Sequence, residues 1–62
     1  MTGFRTSSSI YYVDIRNKLI WGGKLGNNPR QYIEGRFVIG TRGYAKFVDG
    51  GEIITGVILS YV

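Results

Sequence analysis

Catalysis, metal binding and phosphate recognition each need particular side chains, and this chain supplies them unevenly. It contains no cysteine and no histidine, which removes thiolate nucleophiles, imidazole bases, disulfides and the usual zinc ligands together. Asp14, Glu34, Asp49 and Glu52 are its only side-chain carboxylates. Their spacing selects no pair for acid–base work, and they are too sparse to form an oxygen cage around a hard cation. A non-enzymatic protein without metal or cofactor is therefore expected. The run Gly22-Gly23-Lys24-Leu25-Gly26 has phosphate-loop composition. It lacks both the terminal Lys-Ser/Thr of a P-loop and the dinucleotide glycine spacing.

The cations are the better starting point. Eight Lys and Arg face four Asp and Glu, for a formal charge of +4. Residues 1–46 hold all eight cations and two of the carboxylates, a net +6, whereas residues 47–62 hold the other two carboxylates alone. Such a surface attracts polyanions or acidic proteins. Aromatic rings are interleaved with the charges, and small β domains bind nucleic acid by tracking phosphates with cations while rings stack on unpaired bases. The expected interface comprises Arg36, Arg42, Tyr44 and Lys46, with Tyr12, Lys18 and Lys24 as further contacts. Tyr12 and Tyr44 are the expected stacking rings because they share strand parity with Asp14 and Lys46, whereas Trp21, Phe37 and Phe47 suit a core. The expected partner is DNA or RNA, single strands ahead of duplexes, with an accessory or regulatory role. The competing reading is a protein-interaction or assembly module, with an acidic protein or a second copy pairing through a β edge or a hydrophobic sheet face.

These side chains need a scaffold. The run Ile10-Tyr11-Tyr12-Val13-Asp14-Ile15 alternates at strand period, and Leu19-Ile20-Trp21 follows a turn centred on Asn17, which tolerates a left-handed backbone. A hairpin joining 9–15 to 19–23 is expected. Asp49-Gly50-Gly51 supplies the positive backbone angles of a second tight turn, so 44–48 should pair antiparallel with 52–59 in the long β-branched run from Glu52 to Val62. Pro29 and Gly35 bracket a stretch that reads as one short helical turn at 30–34, before a strand at 36–41.

The expected fold is mainly β: a small five-stranded antiparallel sheet or partly open barrel, SH3-like or OB-like, with strands near 9–15, 19–23, 36–41, 44–48 and 52–61. Residues 1–9 read as a polar N-terminal arm, with Phe4 as its one docking group, and 10–62 as a single β domain. At 62 residues, a domain buries only about 60% of its unfolded surface. The final strand is apolar on both faces, so a homo-oligomer that covers the second face is expected. No signal peptide or membrane span is legible, and a cytoplasmic location is expected.

Overall fold

The computed structural model describes residues 2–62. The chain forms β1 (Thr2–Arg5), β2 (Ile10–Asp14), β3 (Leu19–Gly22), a 3-10 turn (Gly23–Leu25), β4 (Arg30–Arg36), β5 (Arg42–Phe47), β6 (Glu52–Val57) and β7 (Ser60–Tyr61). All seven strands join one antiparallel sheet in the order β6-β5-β4-β3-β2-β1-β7. Among the described residues, no helix is long and apolar enough to cross a membrane.

The two expected hairpins are present. β2 pairs with β3 from Tyr11 opposite Gly22 to Asp14 opposite Leu19. Their turn is closed by the Asp14 carboxylate, which accepts from the Asn17 side chain at 2.9 Å and the Asn17 backbone N–H at 3.2 Å. Those bonds, the side-chain one first, stabilise the ionised form and lower the Asp14 pKa. Lys18, rather than the expected Asn17, takes the left-handed backbone at φ 56°. β5 pairs with β6 across a turn in which Gly50 and Gly51 have φ 95° and 80°.

The remainder differs from the sequence-based expectation, which had five strands. Residues 2–5 are not arm but strand. β1 lies between β2 and β7, and Phe4 is 1% exposed. The hydroxyl run behind it is a turn. Thr6 is buried, and its Oγ1 accepts from the backbone N–H groups of Ser8 and Ser9 at 3.4 and 3.1 Å. A threonine that satisfies two backbone donors closes a hairpin locally.

Residues 30–34 are strand rather than a helical turn. Within β4, Tyr32 donates its N–H to Lys18 O at 2.9 Å, and Gln31 O accepts from Val48 N–H at 3.1 Å. The segment thus bonds to β3 on one side and β5 on the other, and its inward Tyr32 is buried. A single isolated helical turn offers the backbone fewer bonds. The strand ends at Arg36. The stretch expected as strand over 36–41 instead turns, with Gly40 at φ 89° and both the N–H and the Oγ1 of Thr41 donating to Val38 O.

The long C-terminal strand is also divided. After Val57 the chain changes neighbour: Ile58 N–H donates to Thr41 O, and Leu59 N–H donates to Arg5 O, both close to 2.9 Å. The first half therefore extends β5, and the second half, β7, extends β1. The sheet is not closed into a barrel by a ladder, but its two outermost strands are consecutive in the chain. Fully buried Ile58 sits at the crossing.

Inside the curl lie Phe4, Tyr11, Val13, Ile20, Tyr32, Ala45, Phe47, Ile53 and Ile58. Phe4 stacks on Tyr11 at 5.2 Å and on Phe37 at 5.5 Å between ring centroids. The Tyr11 hydroxyl accepts from the Lys24 N–H at 3.3 Å. A Cβ on Gly23 would meet that tyrosine ring at 2.4 Å, which is why the 3-10 turn can close over the core only with glycine there.

Candidate nucleic-acid interface

The outer face of β4, β5 and β6 carries the residues expected to bind. Residues directly opposite on antiparallel strands share a face, so the register fixes the arrangement. Arg36 lies opposite Tyr44, and Tyr44 opposite Ile54, giving one row across the three strands. A second row is Glu34, Lys46 and Glu52. Arg42 stands opposite Val57, beyond a bulge in the β5–β6 ladder.

That bulge is held by a side chain. Gly43 donates its N–H to Thr55 Oγ1 at 3.0 Å, and Thr55 passes its own proton to Gly56 O at 2.8 Å. Thr55 is 2% exposed, and a Cβ on Gly43 would meet its Oγ1 at 2.7 Å. A bulge adds twist and redirects the neighbouring side chain. The neighbouring residue is Arg42, which stands opposite Val57 past the shift in register. Thr55→Val keeps the shape but leaves the Gly43 N–H buried without an acceptor, and should cost about 1–3 kcal/mol. Urea unfolding measures this; a loss within a few tenths of a kcal/mol would contradict the bulge's dependence on that hydroxyl.

The two rows differ in electrostatic character. Arg36 and Arg42 are exposed, and among the described residues neither has a carboxylate within ion-pair distance. The ion pair among the described residues is Arg30 with Asp49 at 3.0 Å, where the guanidinium also lies 3.7 Å from the centre of the Phe47 ring. Lys46, by contrast, has a glutamate opposite it on each side. Its row carries two negative charges and one positive, so Lys46 contributes less attraction for phosphate than its exposure implies. Half-buried Tyr44 senses the same groups. Desolvation first, then the charge and hydrogen bond of Glu52, then the charge of Glu34, raise its pKa above the usual phenol value. Its hydroxyl stays protonated through neutral pH, and its ring is presented beside Arg36.

The remaining expected contacts stand elsewhere. Tyr12 is on the outer face of β2, opposite Gly3 on one side and Trp21 on the other. Lys18 is at the β2–β3 turn and Lys24 in the 3-10 turn, both exposed. None of these three shares a row with Tyr44. The register thus gathers Arg36, Tyr44 and Arg42, sets Lys46 beside them in an acidic row, and separates Tyr12, Lys18 and Lys24.

Trp21 was expected inside. It lies half-buried on the outer face, stacked on Tyr12 with ring centroids 5.9 Å apart and planes at 25°. On its β1 side the pair is closed by packing: Gly3 is buried, and a Cβ there would meet Tyr11 O at 2.6 Å, Val62 Cγ2 at 2.9 Å and the Tyr12 ring at 3.3 Å. The parity of Leu19 and Trp21 in a hairpin whose partner face carries Tyr12 and Asp14 is the sequence signal for it.

Among the described residues, no three Cys, His, Asp or Glu side chains are grouped to hold a metal ion. In comparisons with known proteins, the chain matches no family, no curated protein and no solved structure.

Proposed function

We propose that this chain is a non-catalytic nucleic-acid-binding domain that engages single-stranded DNA or RNA through Arg36, Arg42 and Tyr44. The observation that carries this reading is the row placing an exposed arginine opposite a half-buried tyrosine, with a second exposed arginine on the same face and no carboxylate among the described residues paired to either. Arginine holds phosphate in a planar, bidentate geometry. A tyrosine ring between two such groups offers a base a stacking surface in register with the backbone contacts. A partly open, SH3-like barrel suits the role. The C-terminal run passes from β6 at one edge of the sheet to β7 at the other.

Titration of a labelled short single strand, its duplex and an oligomer with an uncharged backbone tests the reading. The single strand should bind most tightly, and log K should fall with log salt at about 0.7 per phosphate contact as counterions are released. Absence of binding to the charged single strand at low salt would overturn the proposal.

A further inference from the structure

β6 is an edge strand whose pairing to β5 leaves its other side without a backbone partner. Phe47 N–H donates to Gly51 O at 3.0 Å. In an antiparallel ladder such bonded pairs alternate, so Ala45 and Ile53 form the next bonded pair. The N–H and C=O groups of Glu52 and Ile54 therefore point away from β5, along the open edge. Natural edge strands are usually blunted by proline, by lysine or by a covering loop. This one reads Glu-Ile-Ile-Thr-Gly-Val, with Ile54 52% and Val57 45% exposed on its outer side.

We propose that a second copy of this chain pairs with that edge, β6 to β6, antiparallel about a two-fold axis at Ile54. The chain's own charges select the register. With Ile54 opposite Ile54 of the second copy, the two strands exchange a reciprocal pair of N–H···O bonds, and the exposed isoleucines cover one another. Glu52 then approaches Gly56, where β6 bulges, the Gly56 carbonyl already accepts from Thr55 Oγ1 at 2.8 Å and Thr6 packs close by, so the ladder ends at the Ile54 pair. Glu52 also faces Arg42 of the second copy, one strand further in beside Val57. Two strand spacings amount to about 10 Å, which a glutamate and an arginine together span. The alternative two-fold, centred on Ile53, sets each Glu52 against an isoleucine and leaves the arginines unmatched. Isologous pairing makes both Glu52–Arg42 contacts equivalent.

This proposal shares Arg42 with the nucleic-acid reading, but its test contains no nucleic acid, so the two can fail separately. In sedimentation across a concentration series, the wild-type chain should form a dimer. Arg42→Glu places like charges at both contacts, and so does Glu52→Arg. Each variant alone should dimerise about ten-fold more weakly or worse. An equimolar mixture of the two variants restores opposite charges at both contacts and should recover the dimer as a heterodimer. A wild-type chain that stays monomeric, single variants that dimerise normally, or a mixture that gains nothing would each overturn the proposal. Hydrogen exchange on the wild-type chain provides a readout that does not depend on the variants folding. The Ile54 amide should become protected as concentration rises, and unchanged exchange there would contradict the register.

Discussion

Phe4→Ala should remove roughly a third or more of the chain's folding stability at 25 °C. The side chain is 1% exposed and stacks between Tyr11 and Phe37 at centroid distances of 5.2 and 5.5 Å. Truncating a buried phenylalanine costs about 3–5 kcal/mol through lost transfer energy and the cavity left behind. A 62-residue chain has total stability of roughly 3–9 kcal/mol at ordinary values per residue, so this one ring accounts for a large share of the whole. Topology amplifies the loss. β1 is the strand on which both β2 and β7 depend, and loosening it frees the C-terminus that ties the curled sheet together. Arg5→Ala, in the same strand with an exposed side chain, should change stability by no more than about 0.5 kcal/mol. Urea unfolding followed by circular dichroism separates the two variants. A Phe4→Ala midpoint close to that of the wild type would mean that β1 is not part of the cooperative core.

That a residue so near the N-terminus carries so much of the fold was only partly legible. Thr2–Arg5 contains one large hydrophobe, its hairpin to Ile10–Val13 is closed by a hydroxyl run that reads as a polar lead-in, and its other neighbour, Ser60 to Tyr61, is distant in sequence. Local pattern does not report such pairing. The two hairpins were legible because their information is local: alternation in 10–15 and glycines at 50–51. β4 was obscured by its own bulge. Tyr32 points inward while Ile33 and Glu34 are both exposed, with a register shift between Tyr32 and Glu34. That break in the period of two, flanked by Pro29 and Gly35, imitates a helical turn.

The site divides along the same line. Strand parity was enough to place Tyr44 on the outer face. Arg36 was expected across the paired strands, whereas the two glutamates beside Lys46 required the register across three strands, which a bulge on either side of β5 shifts. The Tyr12–Trp21 stack was missed for the same reason, since a tryptophan between Ile20 and Gly22 reads equally well as core until its partner strand is known.

A large expected effect on binding, and the one that tests phosphate contact, comes from removing Arg36 and Arg42 together. If each contacts one phosphate, counterion release makes each worth roughly five-fold in affinity at 0.1 M salt, so Arg36→Gln/Arg42→Gln should weaken single-strand binding about 25-fold. Tyr44→Ala in the same fold should lose about 1–3 kcal/mol if a base stacks on the ring. Lys46→Gln should do less than either arginine, because Glu34 and Glu52 already offset its charge. Both arginines are exposed and outside any ion pair among the described residues, so the double variant should fold normally, and a matching amide spectrum confirms that before binding is measured. Affinity alone does not separate a phosphate contact from a diffuse charge effect, whereas the dependence on salt does. The decisive measurement is therefore the slope of log K against log salt for a short single strand, compared between the wild type and the folded double variant. The proposed interface predicts a slope shallower by about 1.4, and an unchanged slope with unchanged affinity would show that nucleic acid does not bind there.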